Sequence, residues 1–200
     1  KLSVFHNLID TEAIRQKALS PVEKSMHEGI RLLTVGRLTP QKGFDCAVYA
    51  LKLLLEKQYP VYWYIIGEGP EYGRLTQLAR SLHVEDHFIF LGMQTNPYPY
   101  FKMADFYIHA TRFEGKSIAI QEAQVLGCAI AASDCSGNRE QIVSGVDGLL
   151  CPFSPEGIAN AVEYLIKHPQ TAESFGRAAA QKACHFENDI HMIRDLLYSP

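Results

Sequence analysis

In the stretch RFEGKSIAIQEA, Glu114 and Glu122 stand eight positions apart on either side of a Gly-Lys-Ser turn. A carboxylate accepts hydrogen bonds from paired hydroxyls, as on a ribose or a hexose, and repels phosphate. Upstream, TVGRLTPQKG (34–43) carries two cations, Arg37 and Lys42. Thr39 suits an N-cap and Pro40 a first helical position, which puts Lys42 in the first turn of a helix. Cations there oppose the macrodipole, and make sense if an anion arrives to share them with free backbone N–H groups. The two segments together suit a sugar nucleotide: acids for the sugars, Arg37 and Lys42 for the diphosphate. Ser117 can cap the second helix, and Gly115 allows close backbone approach. Each residue also has a plainer reading. Arg37 and Lys42 could be solvated loop charges, Glu114 an exposed loop acid, and Glu122 an acid that suits a helix N-terminus.

A third segment, IIGEGPEYGRL (65–75), has the strand–glycine–helix order of a dinucleotide fingerprint. Its spacing is GxGxxxG and not GxGxxG, and it falls in the second strand–helix unit, whereas the fingerprint opens such folds. A nicotinamide site is therefore an alternative, and a tight turn built on glycine is the simpler account. In DCSGNREQIVSGVDGLL (134–150), Gly137, Gly145 and Gly148 read as turn chemistry.

The chain has 200 residues, 47% of them hydrophobic and 20% charged, which is enough to bury a core. A net charge of −3 argues against a nucleic-acid surface. No apolar run is long enough to span a membrane. The first residue is Lys1 and no secretory signal follows it, so the chain reads as a fragment or a processed chain. Its five cysteines, with no CxxC, point to reduced thiols in a cytosolic setting. No Cys or His pair has ligand spacing, so no metal site is expected, and the eight histidines read as surface or core-edge residues.

The elements that must position these residues alternate. Strands are expected at 30–36, 61–67, 87–92, 105–110, 129–133 and 148–151. Helices are expected at 39–57, 70–83 (with Pro70 at its first position), 117–126, 138–143 and across 155–197. The segment around Pro97 and Pro99 reads as turns, and the first ~25 residues as a connector. Such β-α alternation implies an α/β, Rossmann-like, mostly parallel sheet with helices on both faces. Ligands bind beyond the carboxyl ends of its strands, in the loops after Val35, Ile66, Leu91, His109, Ala132 and Leu150.

Read together, these segments resemble the C-terminal, donor-binding half of a retaining, metal-independent glycosyltransferase with two Rossmann domains, the GT-B fold of family 4. HNLID resembles the crossing between that family's domains, VGRLTPQKGFD its phosphate loop, and IIGEGP and IFLG its second and third strands. FEGKSIAIQEA resembles its E-x7-E signature, and SGNREQIVSGVDGLL its closing loop. The resemblance implies one domain over 1–200, with a connector at 1–25, a C-terminal helix at 185–200 and the N-terminal acceptor domain missing. It implies that Arg37 and Lys42, in the loop opened by Gly36, neutralise the donor diphosphate, and that Glu114 contacts the transferred sugar. The backbone of Gly115, Lys116 and Ser117 would lie against sugar and phosphate, Glu122 would hold the ribose, and the loop of Leu91, Gly92 and Met93 would touch the base. The implied substrate is a UDP- or GDP-linked sugar. Its hexosyl group would pass with retention to a glycan or lipid-linked acceptor, in polysaccharide biosynthesis. The setting would be cytoplasmic, with peripheral association at the inner face of a membrane where the acceptor is lipid-linked. No cofactor is implied, and no obligatory metal, since the chain has no Asp-x-Asp. The Gly-Lys-Ser start of the signature departs from the Gly-Phe-Gly-Leu-Pro of many relatives, so Lys116 adds a charge near the sugar. A non-catalytic nucleotide-sugar-binding module and a nicotinamide-dependent oxidoreductase are the alternatives.

Overall fold

The structure, a computed structural model, describes residues 9–22 and 24–184. Six parallel strands form one sheet: β1 (Ile30–Val35), β2 (Val61–Ile66), β3 (Phe88–Gly92), β4 (Phe106–His109), β5 (Ala129–Ser133) and β6 (Leu149–Cys151). Their spatial order is β3-β2-β1-β4-β5-β6, so the order reverses beside β1, between the β1 and β4 crossovers. β1 pairs with β2 in unbroken register from Ile30↔Val61 to Val35↔Ile66. The helices are α1 (Thr11–Lys17), α2 (Phe44–Glu56), α3 (Tyr72–Ser81), α4 (Tyr98–Met103), α5 (Ile118–Val125), α6 (Ser136–Arg139), α7 (Pro155–Lys167) and α8 (Pro169–Ala183). The expected C-terminal helix at 185–200 and most of HNLID lie outside the described residues.

Alternate strand residues enter two cores, as a sheet covered on both faces requires. Leu32, Trp63, Ile65, Ile108 and Ala131 pack with Leu51, Leu54, Leu75, Val162 and Leu165 of α2, α3 and α7. Leu33, Tyr64, Ile66, Tyr107, Ile130 and Ala132 pack with Phe101 of α4 and with Ile120 and Ala123 of α5. The polar groups in the first core are paired: Trp63 Nε1 donates to Thr34 Oγ1, which donates to the Ile108 carbonyl (2.9 and 2.7 Å). Among the described residues no helix is long and apolar enough to cross a membrane.

The strands fall within a residue of their expected bounds, and the differences lie at helix starts. The single helix expected over 39–57 is broken at Gly43 (φ 63°) into a 3₁₀ turn, Pro40–Lys42, and α2. A side chain at Gly43 would meet the Ala110 carbonyl oxygen at 2.5 Å, so the chain passes close to the end of β4 and only glycine fits. Lys42 thus ends a separate turn ahead of α2, and Thr39 makes no side-chain cap. Pro70 lies in a turn before α3, because the Glu71 N–H is taken by the Leu38 carbonyl (3.1 Å). The segment read as turns holds α4, whose prolines, Pro97 and Pro99, sit at its N-cap and second position, where no intrahelical N–H is required. α6 ends where the helix expected at 138–143 would begin, and the chain beyond it is held by side chains: Val143 N–H donates to Asp147 Oδ1 (2.7 Å).

Candidate functional site

Two loops at the carboxyl edge of the sheet are sewn together. The Arg112 N–H and the Thr111 hydroxyl both donate to the Gln41 carbonyl, at 2.9 and 3.0 Å. Gln41 Nε2 returns a bond to the Phe113 carbonyl (3.0 Å). The Arg112 guanidinium donates to the Pro40 carbonyl (2.5 Å), holds both oxygens of Asp45 (3.0 and 2.6 Å), and lies 5.1 Å from the Phe153 ring centroid. A bidentate pair of this kind fixes geometry as well as charge. The seam brings Lys42, from the first crossover, onto Glu114, from the fourth: Lys42 Nζ and Glu114 Oε2 form an ion pair with both side chains mostly buried. Gly36 lies beneath the Lys42 chain, whose methylenes would be 3.6 Å from a Cβ there.

A third group joins the pair. His109, the last residue of β4 and 2% exposed, places Nε2 3.3 Å from Glu114 Oε2 and Nδ1 3.2 Å from the Tyr107 hydroxyl. Burial alone would raise the Glu114 carboxyl, but the hydrogen bonds from His109 and Lys42 outweigh it and bring it from 4.5 down to about 2. Burial holds His109 below its usual value, against the pull of Glu114. Glu114 is therefore an anion, His109 is neutral at pH 7, and Glu114 Oε1 has no hydrogen-bond partner among the described residues.

Glu122 has a different environment. Tyr98 of α4 donates its hydroxyl to Glu122 Oε1 (3.0 Å), yet burial prevails and lifts the carboxyl above its usual range. Burial and the neighbouring carboxylate push the Tyr98 phenol up to about 12. Between the acids, Ser117 occupies the N-cap of α5 with no side-chain cap bond, correcting the capping role expected for it. Its backbone is clamped by Gln141, which accepts from the Ser117 N–H (2.6 Å) and donates to the Ser117 carbonyl (2.9 Å). With its backbone N–H and carbonyl both so held, Ser117 is buried. Gly137 is a contact residue rather than turn chemistry alone: a Cβ there would collide with the Gly115 and Glu114 carbonyl oxygens. Nothing lies within 4 Å of a Cβ built on Gly115, so that loop is open on its outer side. Lys116 is half-buried beside it.

Arg37 is exposed and forms no ion pair or hydrogen bond with another described residue through its side chain. The glycines of GEGP serve its loop. A Cβ at Gly67 would collide with the Gly36 carbonyl oxygen, and one at Gly69 with that of Leu38, so they let two loops touch backbone to backbone. This accounts for the glycines without a dinucleotide. A pocket of about 500 Å³ opens beside them, lined by Lys24, Gly67, Gly69, Tyr72, Leu91 and Gly92. Leu91 is buried, its carbonyl held by Gln94 Nε2 (2.9 Å) and Lys24 Nζ (3.3 Å), while Met93 is 70% exposed at the rim. Among the described residues no group of three or more His, Cys, Asp or Glu side chains is placed to hold a metal ion.

A parallel sheet whose carboxyl-edge loops after β1 and β4 pair a lysine with a carboxylate, beside a pocket beyond β2 and β3, defines a Rossmann-like α/β domain. The chain belongs to the family described as Glycosyl transferases group 1, whose sequence model matches residues 15–182. It is 29% identical, over 98% of its length and 53% of the relative's, to the N-acetylgalactosamine-N,N'-diacetylbacillosaminyl-diphospho-undecaprenol 4-alpha-N-acetylgalactosaminyltransferase of Campylobacter jejuni. A glycogen synthase of Mycobacterium tuberculosis is also 29% identical, over 91% of this chain and 44% of the relative. The fold matches that of HepE from Anabaena, solved in complex with UDP, with TM-score 0.83 and 21% identity over 99% of this chain and 57% of that one. The chain thus spans about half the length of the relatives it matches. It is a GT-B-type Rossmann-like unit, as the sequence implied.

Proposed function

We propose that this chain is the donor-binding half of a glycosyltransferase that takes a UDP- or GDP-linked sugar and passes its hexosyl group, with retention, to a glycan or lipid-linked acceptor. The observation that carries this reading is the contact between Lys42 and Glu114 across two crossovers that the Gln41–Arg112 seam locks together. A diphosphate entering over Gly36 meets Arg37 and Lys42, and Lys42 exchanges Glu114 for phosphate. The two cations then oppose the charge that develops on the leaving diphosphate, where preorganised charge lowers a barrier most. Glu114 Oε1, which has no hydrogen-bond partner among the described residues, accepts hydroxyls of the sugar. The Gly115–Ser117 backbone lines the sugar and phosphate, with Lys116 adding positive charge there. Glu122, oriented by Tyr98, takes the ribose hydroxyls. The base enters the pocket at Leu91 and Gly92, with Met93 at its edge. No metal or cofactor has a part in this scheme. The acceptor site belongs to another domain, and the setting is cytoplasmic, at a membrane face if the acceptor is lipid-linked.

The names of the relatives support transfer of a sugar, and the UDP and UDP-glucose complexes of HepE support a uridine donor. Thermal shift with UDP, UDP-glucose, UDP-N-acetylhexosamines, GDP-mannose and NADH tests the reading. A ligand at 100 times its Kd stabilises by about 2.7 kcal/mol, a shift of several degrees. One nucleotide-sugar series is expected to shift the wild type and to lose most of that shift in Lys42→Met. A shift with NADH and none with any nucleotide sugar would overturn the proposal.

A further inference from the structure

All four residues of β4, Phe-Tyr-Ile-His, are buried, and the last puts an imidazole where an apolar side chain would cost nothing. His109 is retained there with both ring nitrogens paired. An ionised Glu114 can only accept, so the imidazole proton sits on Nε2, facing Oε2, and Nδ1 is left to accept from the buried Tyr107 phenol. The titratable groups facing the ring are these two and Lys42, whose charge opposes a second proton on the imidazole. Lys42 and His109 share one carboxylate oxygen but differ in freedom. Lys42 sits on a long chain in a surface loop, whereas His109 is fixed in the core and cannot follow a ligand.

We propose, resting on the donor-binding reading above, that His109 is the positioning residue of Glu114: its Nε2–H holds Oε2 from behind, so the other oxygen stays turned to the sugar when Lys42 leaves for the diphosphate. Tyr107 pairs with the other ring nitrogen and Glu114 makes the contact with the ligand. The arrangement is a carboxylate oriented by a neutral histidine, with no proton moved.

The experiment has two arms, with tautomer and UDP binding read on these 200 residues and kcat read on a chain that also carries an acceptor domain. In the first, ¹⁵N shifts of His109 are recorded from pH 6 to 8 with and without UDP. The neutral Nε2–H tautomer is expected throughout, and an Nδ1–H tautomer or an imidazolium at pH 7 would overturn the proposal. In the second, His109→Leu and His109→Gln are compared with wild type for UDP affinity and for the pH profile of kcat with the donor sugar. Both are expected to bind UDP within about threefold of wild type, because the nucleotide does not touch Glu114. In His109→Leu, kcat is expected to fall at least tenfold and its acid limb to move up by about one pH unit, since an anion that loses a donor binds protons more readily. His109→Gln, which keeps an N–H in place, is expected to recover both. An unmoved acid limb in His109→Leu, or equal losses in the two variants, would reduce His109 to packing and overturn the proposal. If wild type binds neither UDP nor GDP, the donor reading fails instead, and the tautomer remains readable without any ligand.

Discussion

Glu114 and Glu122 are the same residue type eight positions apart, and their surroundings drive them in opposite directions. Glu114 is lowered to about 2, so its ion pair and hydrogen bond contribute stability that is complete above pH 4.5 and lost as pH falls toward 2. Glu122 is raised, so its ionisation costs stability at neutral pH, and protonation relieves that cost. Acid unfolding followed by circular dichroism is therefore expected to lose its component between pH 4.5 and about 2 in Glu114→Gln, whereas Glu122→Gln is as stable as wild type or more so at pH 7. Glu114→Gln also frees Lys42 from its partner. UDP is expected to bind it at least as tightly as wild type and up to about tenfold more, ~1.4 kcal/mol by calorimetry, while the gain from the sugar of a UDP-sugar disappears. Weaker UDP binding would show that Glu114 does not compete for Lys42. The charged members of this site could be read from the sequence, because Lys42 and Glu114 fall in loops that follow strands. His109 and Tyr98 could not. A lone histidine ending an apolar strand, or a tyrosine among prolines, looks the same in the sequence whether it packs or binds.

The strands were legible because apolar runs between glycines set their lengths. Three helix starts, those of α2, α3 and α6, were not, because loops touching at distant positions decide them: Gly43 against Ala110, Gly69 against Leu38, Gly137 against Gly115. No local pattern announces such a contact, and capping preferences at Thr39 and Ser117 pointed to bonds the structure does not make. Gly137→Ala tests this level, because its methyl group must displace the Glu114–Gly115 backbone. A lowered melting temperature with at least a tenfold loss in UDP-sugar affinity is expected, and wild-type values for both would show that the packing is unimportant. α5 offers a test of opposite sign. Both amide atoms of buried Gln121 lack a partner among the described residues. An unpaired buried amide costs about 1–3 kcal/mol, so Gln121→Met is expected to raise the melting temperature. A fall would mean that an ordered water satisfies the amide.

At the scale of the molecule, the carboxyl edge of the sheet carries the Lys42–Glu114–His109 cluster, and it also exposes apolar side chains, with Phe113 64% and Ile118 52% exposed. A chain half the length of its relatives is expected to hold the nucleotide by itself and to transfer nothing without the remainder of such a protein. Binding should then be measurable on these 200 residues alone, and turnover only in a chain that also carries an acceptor domain. The most direct measurement is a crystal structure of the protein grown with UDP. The account predicts the diphosphate over Gly36, with Lys42 Nζ on a phosphate oxygen and no longer on Glu114, and Glu114 still held by His109. UDP bound at any other edge of the sheet, or a Lys42–Glu114 pair left intact beside bound UDP, would contradict it.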